Sequence, residues 1–498
     1  MWRDLGITNR DWEQTSQAVR TVLVSLQQQV RLMGIRFTAY EQQLTALRQQ
    51  VATVDDLTAE IAELRERLGQ NSTNSSKPPS SDPPSCNARP ASAPEGRTKR
   101  GGQPGHQGTA RSLRPVTEVD HIIELRPTNC TGCGRRLRGD DPQPERHQVA
   151  EVPPAKAAVT EYQRPTLCCQ SCGTKHQLEW PADMPTGSFG PRAQALMAYL
   201  TGRLGVSHRD WVEAMQVRHG VAVGLGSVAS IQRGVSAALA APVERARQFV
   251  QQQKAQYVDE TRWYEGEQQK WLWVNVTRDV TVFHLLSGRR AADAQEVINQ
   301  SARGIITTDR YRSYSWLPAR RRQICWAHLA RDFQAIVDRG GESAEIGQAL
   351  LKQVKEIFAL WHQMRDGNLT RARLQSALRP VRRQIKELLE AGSQGAHQKT
   401  RHTCQKILQV EQCLRTFVRA EGVEPTNNSA ERGLRRAVRW RRKSFGTQSA
   451  EGSQCVERVL TAVTTLRQQG RDVLAYLTAA CRNVLVNEEV SGLIPDTS

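Results

Sequence analysis

Long apolar runs are missing from this 498-residue chain. No stretch approaches the ~20 residues that cross a bilayer, and the opening Met-Trp-Arg-Asp-Leu lacks the basic-then-apolar order of a secretory leader. No membrane partner and a cytoplasmic location are therefore expected. A disulfide framework is missing too, because eleven cysteines, an odd number, are scattered over a long chain. That usage points to reduced thiols and leaves room for a metal site. Acidic residues run short, at 50 Asp+Glu against 69 Lys+Arg, a formal charge of +19. Such a balance favours a polyanionic partner, nucleic acid ahead of a membrane surface. At roughly 150 residues per domain, the length suggests about three domains with real cores.

The positive charge is not spread evenly. Residues 1–70 hold 8 basic and 9 acidic groups, and residues 130–190 hold 7 of each, so both stretches are close to neutral. The excess lies in 71–129 and above all from 191 onward, which predicts a polyanion gripped along an extended surface rather than by one tail.

From Val19 the apolar positions step alternately by four and three through Leu23, Leu26, Val30, Met33, Phe37, Tyr40, Leu44, Leu47, Val51 and Val54. Leu57 follows by three before Ile61, Leu64 and Leu68 resume. This is a heptad seam with a three-residue slip, which overwinds a coiled coil or marks a helix break near Asp55-Asp56. A long helix packed on its own chain is the alternative, but the length of the seam favours self-association. Residues 71–104 contain no Val, Ile, Leu, Phe, Trp, Tyr or Met. A segment of that composition cannot bury a core and reads as a Ser/Pro/Gly linker, extended here to 71–115. Its Gly101-to-Gly108 end lacks the Lys-Ser or Lys-Thr of a phosphate loop, so ATP is not expected.

Cys130-x2-Cys133 and Cys169-x2-Cys172 lie thirty-five residues apart. Two such pairs suit the closed tetrahedral shell of a structural zinc ion and define a module over 116–188. Cys168 competes with Cys169 as a ligand, and His176 is a substitute. In 189–250, Ser207 reads as the N-cap of a helix from His208 to about Arg218, and a second helix runs from Ser227 to about Leu239. This is helix-turn-helix logic with Arg233 on the second helix, although an ordinary helical hairpin fits as well. From 255 the period changes to strands: Ala255–Tyr264, Lys270–Arg278, Val280–Leu286 and, after a helix near Ala291–Ser301, Gly304–Asp309. The first and fourth strands can then lie side by side and parallel. Residues 341–422 read as an all-helical insertion between two parts of a core, 251–340 and 423–498.

Three carboxylates stand out by position. Asp259 lies in the first strand, Asp309 ends the fourth, and Glu431 opens a later helix. If the strands are neighbours, the three converge as the hard oxygen ligands that phosphoryl transfer with paired metal ions requires. Singly, each is as readily a strand-end or first-turn charge. Beside Glu431 stand Arg432, Arg435, Arg436, Arg439, Arg441, Arg442 and Lys443. So many like charges on one helix repel unless an anion, such as a DNA backbone, neutralises them.

These residues sit within further motifs: Asn74 to Asp82 (Asn-Ser-Ser-Lys-Pro-Pro-Ser-Ser-Asp), Gly190-Pro191-Arg192, Asp259-Glu260-Thr261, Thr308-Asp309 with Tyr311 and Tyr314, Cys325-Trp326-Ala327-His328-Leu329, Asn427 to Arg432 and Phe445 to Ser449. Together, and nearly end to end, the chain resembles bacterial transposases of the insertion-sequence-66 family. The resemblance implies a multidomain α/β protein: an N-terminal coiled-coil helix over 1–70, a small four-cysteine zinc module, a helix-turn-helix and an RNase H-like core of the DDE class with an all-helical insertion. It implies Asp259, Asp309 and Glu431 as a catalytic triad holding Mg2+ or Mn2+, and two-metal cleavage and transfer of DNA strands. Double-stranded DNA, as element ends and target, is the implied partner, with contacts from Arg432, Arg435, Arg436, Arg439, Arg442, Lys443, Arg233 and Arg192. His328 takes a structural or DNA-contacting role, homo-oligomers form through the coiled coil, and small accessory proteins often accompany the family. Two rivals remain open on sequence: a zinc-containing regulator with a dead nuclease fold, and a nuclease that cuts without joining.

Overall fold

The computed structural model describes residues 6–75, 82, 112–185, 187–301 and 303–495. Most of the expected linker, including Gly101 to Gly108, lies outside the described residues. A short helix α1 (Asn9–Gln14), capped by the Thr8 hydroxyl, leads into α2 (Gln17–Leu68). With 52 residues, α2 is about 78 Å long at 1.5 Å per residue. It runs unbroken through Asp55-Asp56, so the three-residue slip in the seam does not end the helix. The seam is bare: Leu26, Val30, Met33, Phe37, Tyr40, Leu44, Leu47, Val51, Leu57, Ile61 and Leu64 are all exposed. Near its end, Glu66 meets Lys399 Nζ at 2.5 Å and Arg339 Nε at 3.5 Å.

Between 112 and 188 regular structure is sparse. A 3-10 turn at Val116–Glu118 is followed by a two-residue ladder in which β1 (Leu167–Cys168) pairs antiparallel with β2 (Lys175–His176). Four helices follow: α3 (Pro191–Tyr199), α4 (His208–His219), α5 (Leu225–Ala238) and α6 (Ala240–Gln251). Ser207 caps α4 in a reciprocal capping box with Asp210, which satisfies two first-turn amides. The buried face of α5, Val228, Ile231 and Val235, packs on α3 and on two C-terminal helices, α14 (Ala450–Gln468) and α15 (Val473–Leu485). The α4–α5 pair thus shares one core with the end of the chain.

The central sheet has the order β5-β4-β3-β6-β7. Strands β3 (Ala255–Glu265), β4 (Gln268–Val276) and β5 (Thr281–Leu286) form an antiparallel meander. After α7 (Ala291–Ile298), the strand β6 (Ile305–Thr308) returns parallel to β3, and β7 (Arg322–Ile324) adds parallel to β6. Sequence periodicity placed the first four strands within two residues at each end but missed β7, whose Arg-Gln-Ile carries no apolar alternation. One sheet face packs on α7, through Val258, Trp273 and Ile306. The other packs on α13 (Asn428–Ser444) and α14, through Val274, Phe283, Ala430, Leu434 and Leu460.

Between β7 and α13 the chain is helical: α8 (Trp326–Asp338), α9 (Gly341–Arg365), α10 (Arg371–Gln394), α11 (Gln398–Leu408) and α12 (Thr416–Arg419), around a separate core of Leu329, Phe333, Leu350, Leu374 and Leu389. Gly347 lets α9 cross close to α8, because a Cβ there would lie 2.8 Å from the Val337 amide nitrogen. No helix among the described residues is long and apolar enough to cross a membrane.

Candidate active site

Asp259 lies within β3, opposite Val274 of β4. On its other side β6 runs parallel, with Ala255 beside Ile305 and Tyr257 beside Thr307. The same register carried two residues further sets Asp259 beside Asp309, the residue that follows β6. Glu431 arrives from the first turn of α13. The segment before it is fastened to the sheet: Asn427 Nδ2 donates to the Val258 carbonyl at 2.8 Å, the Asn427 amide donates to Cys325 Sγ at 3.1 Å, and the Trp326 amide donates to the Pro425 carbonyl at 2.9 Å. One fully buried asparagine thus ties the start of α13 to the residue before Asp259. Asp259 is held well above the usual carboxylate range, first by loss of solvent and then by the charges of Glu260, Asp309 and Glu431. Repulsion among converging hard oxygen donors is what a divalent cation relieves.

Glu260 is buried among different partners. Tyr314 Oη donates to Glu260 Oε2 and Arg289 Nε to Glu260 Oε1. Burial first, then Asp309, raises the Glu260 carboxyl to about 6, against the pull of Arg289 and Tyr314. Arg289 Nη2 also lies 3.9 Å from Asp309 Oδ2, and its guanidinium stacks 3.6 Å from the centroid of Tyr311 and 4.9 Å from that of Trp271. This stack fixes the fork, so Asp309 faces a guanidinium that cannot swing away. The neighbouring Arg310 is drawn off to Asp332 of α8, Nη2 to Oδ2 2.6 Å.

The opening of α8 forms the third wall. Cys325 is its N-cap, and His328 and Arg331 occupy the turns that follow. His328 Nδ1 lies 3.7 Å and Arg331 Nη2 3.5 Å from Glu431 Oε1. Arg331 also lines a cleft of about 440 Å³ with Asn71, Thr73, Asn74 and Asp338, where the chain beyond α2 returns to the body.

Along α13, Arg432, Arg435, Arg439, Arg442 and Lys443 are all exposed, and Lys443 Nζ donates to the Gly205 carbonyl at 3.3 Å. Arg436 donates to the Arg203 carbonyl at 2.7 Å, and Arg441 donates to Thr261 Oγ1 at 3.0 Å, so these two fasten the helix to its neighbours. Arg203 and Arg467 extend the basic surface. Burial first, then Arg467 and Arg439, lowers the Arg203 pKa. Arg192 and Arg233 are exposed on α3 and α5, which pack on α14.

The four paired cysteines form two copies of one turn. Cys130 N donates to the Arg135 carbonyl at 2.8 Å and Gly134 N to the Cys130 carbonyl at 2.9 Å; Cys169 N donates to the Thr174 carbonyl and Gly173 N to the Cys169 carbonyl, each at 2.8 Å. Gly134 and Gly173 hold left-handed φ values of 75° and 74°, which closes both turns. Cys169 is therefore the counterpart of Cys130, and Cys168 stands outside the repeat. Amides of Cys133 and Gly132 lower the Cys130 pKa, and Thr174 lowers that of Cys172. Among the described residues, no three of these four sulfurs come within 4.8 Å of one another, so the halves are formed but apart.

The transposase IS66 family matches residues 187–455, more than half of the chain. The chain belongs to this family. The zinc-finger binding domain of transposase IS66 matches residues 127–173, spanning both cysteine turns, and a family of unknown function matches residues 27–112. No curated protein matches the chain. In this IS66 transposase the structure brings Asp259, Asp309, Glu431 and His328 to one place, with the outer α13 arginines alongside. Sequence reasoning did not single out Glu260, Arg289, Arg331, Arg203 or Arg467. Glu260 carried a readable signal, a charge on each of two consecutive residues within one strand, which puts a carboxylate on both sheet faces. Arg331 stands three residues after His328, on the same helical face. Arg289, in the loop between β5 and α7, carried none.

Proposed function

We propose that this transposase binds the ends of its insertion sequence and cuts and joins DNA strands with Asp259, Asp309 and Glu431 as DDE carboxylates on an RNase H-like core. The observation that carries this reading is the convergence of three carboxylates from three distant segments, delivered by the β3–β6 register and by Asn427. The sheet order, an antiparallel meander whose first strand is flanked by a parallel fourth, supports the RNase H-like assignment. The donors are all hard oxygens, which fits Mg2+ or Mn2+. Bound there, the ions supply a nucleophile at neutral pH and offset charge on the scissile phosphate.

The chain's own residues do the rest. Arg432, Arg435, Arg439, Arg442 and Lys443 hold a DNA backbone against the carboxylates, with Arg436 locking α13 to the Arg203 carbonyl. His328 and Arg331 stand where they can meet a phosphate beside Glu431. Residues 189–250, with Arg192 and Arg233, form a helix-turn-helix that reads element ends, and residues 341–422 are an insertion into the core. Cys130, Cys133, Cys169 and Cys172 hold a structural zinc once their two turns close on it, as the repeated turn geometry and thiolate chemistry suit. The bare seam of α2 makes homo-oligomers, and the protein works on cytoplasmic DNA, with or without accessory proteins.

The test incubates purified protein with element-end DNA and a target plasmid. Asp259→Asn, Asp309→Asn and Glu431→Gln are each expected to lose several kcal/mol of transition-state stabilisation, about 10³-fold in Mg2+-dependent cleavage, while end binding persists. Undiminished cleavage in all three would overturn the assignment. Joined products separate a transposase from a nuclease that only cuts.

A further inference from the structure

We propose that Cys325, His328 and Glu431 form a site for a zinc-class divalent ion that shares Glu431 with the magnesium site, so that zinc and catalytic use of Glu431 exclude each other. The proposal rests on the reading of Glu431 as a catalytic carboxylate. Among the described residues, these three form the one group of three metal-ligating side chains whose donor atoms all lie within 4.8 Å of one another. His328 Nδ1 is 3.7 Å from Glu431 Oε1. That separation is close to the ligand-to-ligand edge of a tetrahedral zinc shell with bonds of about 2.0–2.1 Å. His328 Nδ1 is buried and has no hydrogen-bond partner, an expensive state for a ring nitrogen unless something else engages it. Cys325 Sγ accepts the Asn427 amide at 3.1 Å at the N-terminus of α8, so one donor already faces the sulfur from the segment that carries Glu431.

The ligand chemistry separates the two ions. A thiolate and an imidazole rank zinc and cobalt far above magnesium, which demands oxygen donors. Asp259 and Asp309 offer oxygen alone. Glu431 sits between the two sets, and its Oε1 already faces His328 and Arg331. An ion held by Cys325 and His328 draws Glu431 away from Asp259 and leaves the catalytic cluster one ligand short. Three protein ligands leave a fourth position open to water, and the thiol proton leaves to solvent.

The experiment uses the full chain without DNA or magnesium. Zinc content is measured for the wild type, Cys325→Ser and His328→Gln after equilibration in the same zinc buffer. The wild type is expected to hold one more equivalent than either variant, and equal content in all three overturns the proposal. A variant with Cys130, Cys133, Cys169 and Cys172 all changed to Ser guards against misfolding at Cys325. Titrated with Co2+, it should still show a thiolate-to-cobalt absorption band, and absence of that band also overturns the proposal. In the cleavage assay, zinc should inhibit the wild type over the concentration range in which the additional equivalent binds, and inhibition that sets in only well outside that range overturns the exclusion. If no form cleaves DNA, the functional reading fails, while zinc content and the cobalt band still decide this one.

Discussion

At the scale of single residues, Arg289 offsets the repulsion in the site. Asp259, Glu260 and Asp309 are packed together, and burial makes their mutual repulsion strong. One guanidinium bonds Glu260, approaches Asp309 and is clamped by two aromatic rings. Arg289→Ala leaves the Glu260 carboxyl buried without its cation, a loss of about 3 kcal/mol in chemical denaturation. Arg289→Lys keeps the charge but loses the planar fork and the stacking. Its stability should fall less, and cleavage should slow by about tenfold, a cost of roughly 1.4 kcal/mol in positioning Asp309. A second buried group makes its own contribution to acid stability. His284 of β5, opposite Trp273, is lowered from 6.5 to about 3, by burial first and then by Arg247. Between those values the unfolded chain takes up a proton that the folded chain refuses. The contribution of His284 is therefore fully present above pH 6.5 and shrinks as pH falls towards 3. His284→Phe should flatten the fall of denaturation midpoint with acid across that window, and an unchanged slope would show that His284 is not responsible.

At the scale of elements, the sheet was legible because its strands alternate or run apolar, and because one helix between the third and fourth strands forces a parallel return. The first and fourth strands pair as that rule requires. The strand β7 was illegible, since a buried Arg322 breaks the apolar pattern and the strand exists through pairing with β6. The convergence of Glu431 on the aspartates was an expectation of chemistry; what produces it, the buried Asn427, appeared in sequence only as part of a motif. Asn427→Ala removes the bond to Val258 and leaves that carbonyl without its side-chain donor, a cost of about 1–3 kcal/mol. Because Glu431 follows by one helical turn, cleavage should fall by more than the stability loss explains. Comparing kcat with the unfolding midpoint at a temperature where the variant is fully folded checks this, and a kcat equal to wild type would remove Asn427 from the positioning of Glu431.

At the scale of the whole molecule, a neutral arm joins a basic body, and α2 meets that body near its end. Glu66, which meets Lys399 and Arg339, lies off the seam that Leu57, Ile61, Leu64 and Leu68 form, so docking on the body leaves the seam free for a second copy. The steps of four and three place Leu23, Val30, Phe37, Leu44 and Val51 at a positions and Leu26, Met33, Tyr40 and Leu47 at d. Arg36 then falls at g and Glu41 at the following e, and beyond the slip Glu60 falls at g and Arg65 at e. In a parallel, in-register pair these become Arg36 with the partner's Glu41 and Glu60 with the partner's Arg65, both attractive, and no g–e pair joins like charges. An antiparallel pair would set g against g and e against e and lose this match. Two bodies would then hang from the same end of the arm. Tyr40→Cys should therefore cross-link to itself under mild oxidation in the absence of DNA, at a d position where parallel in-register chains meet. Leu44→Lys should abolish that cross-link and give a monomer in sedimentation. A Tyr40→Cys chain that fails to cross-link while remaining a dimer would exclude the parallel register and place the bodies at opposite ends.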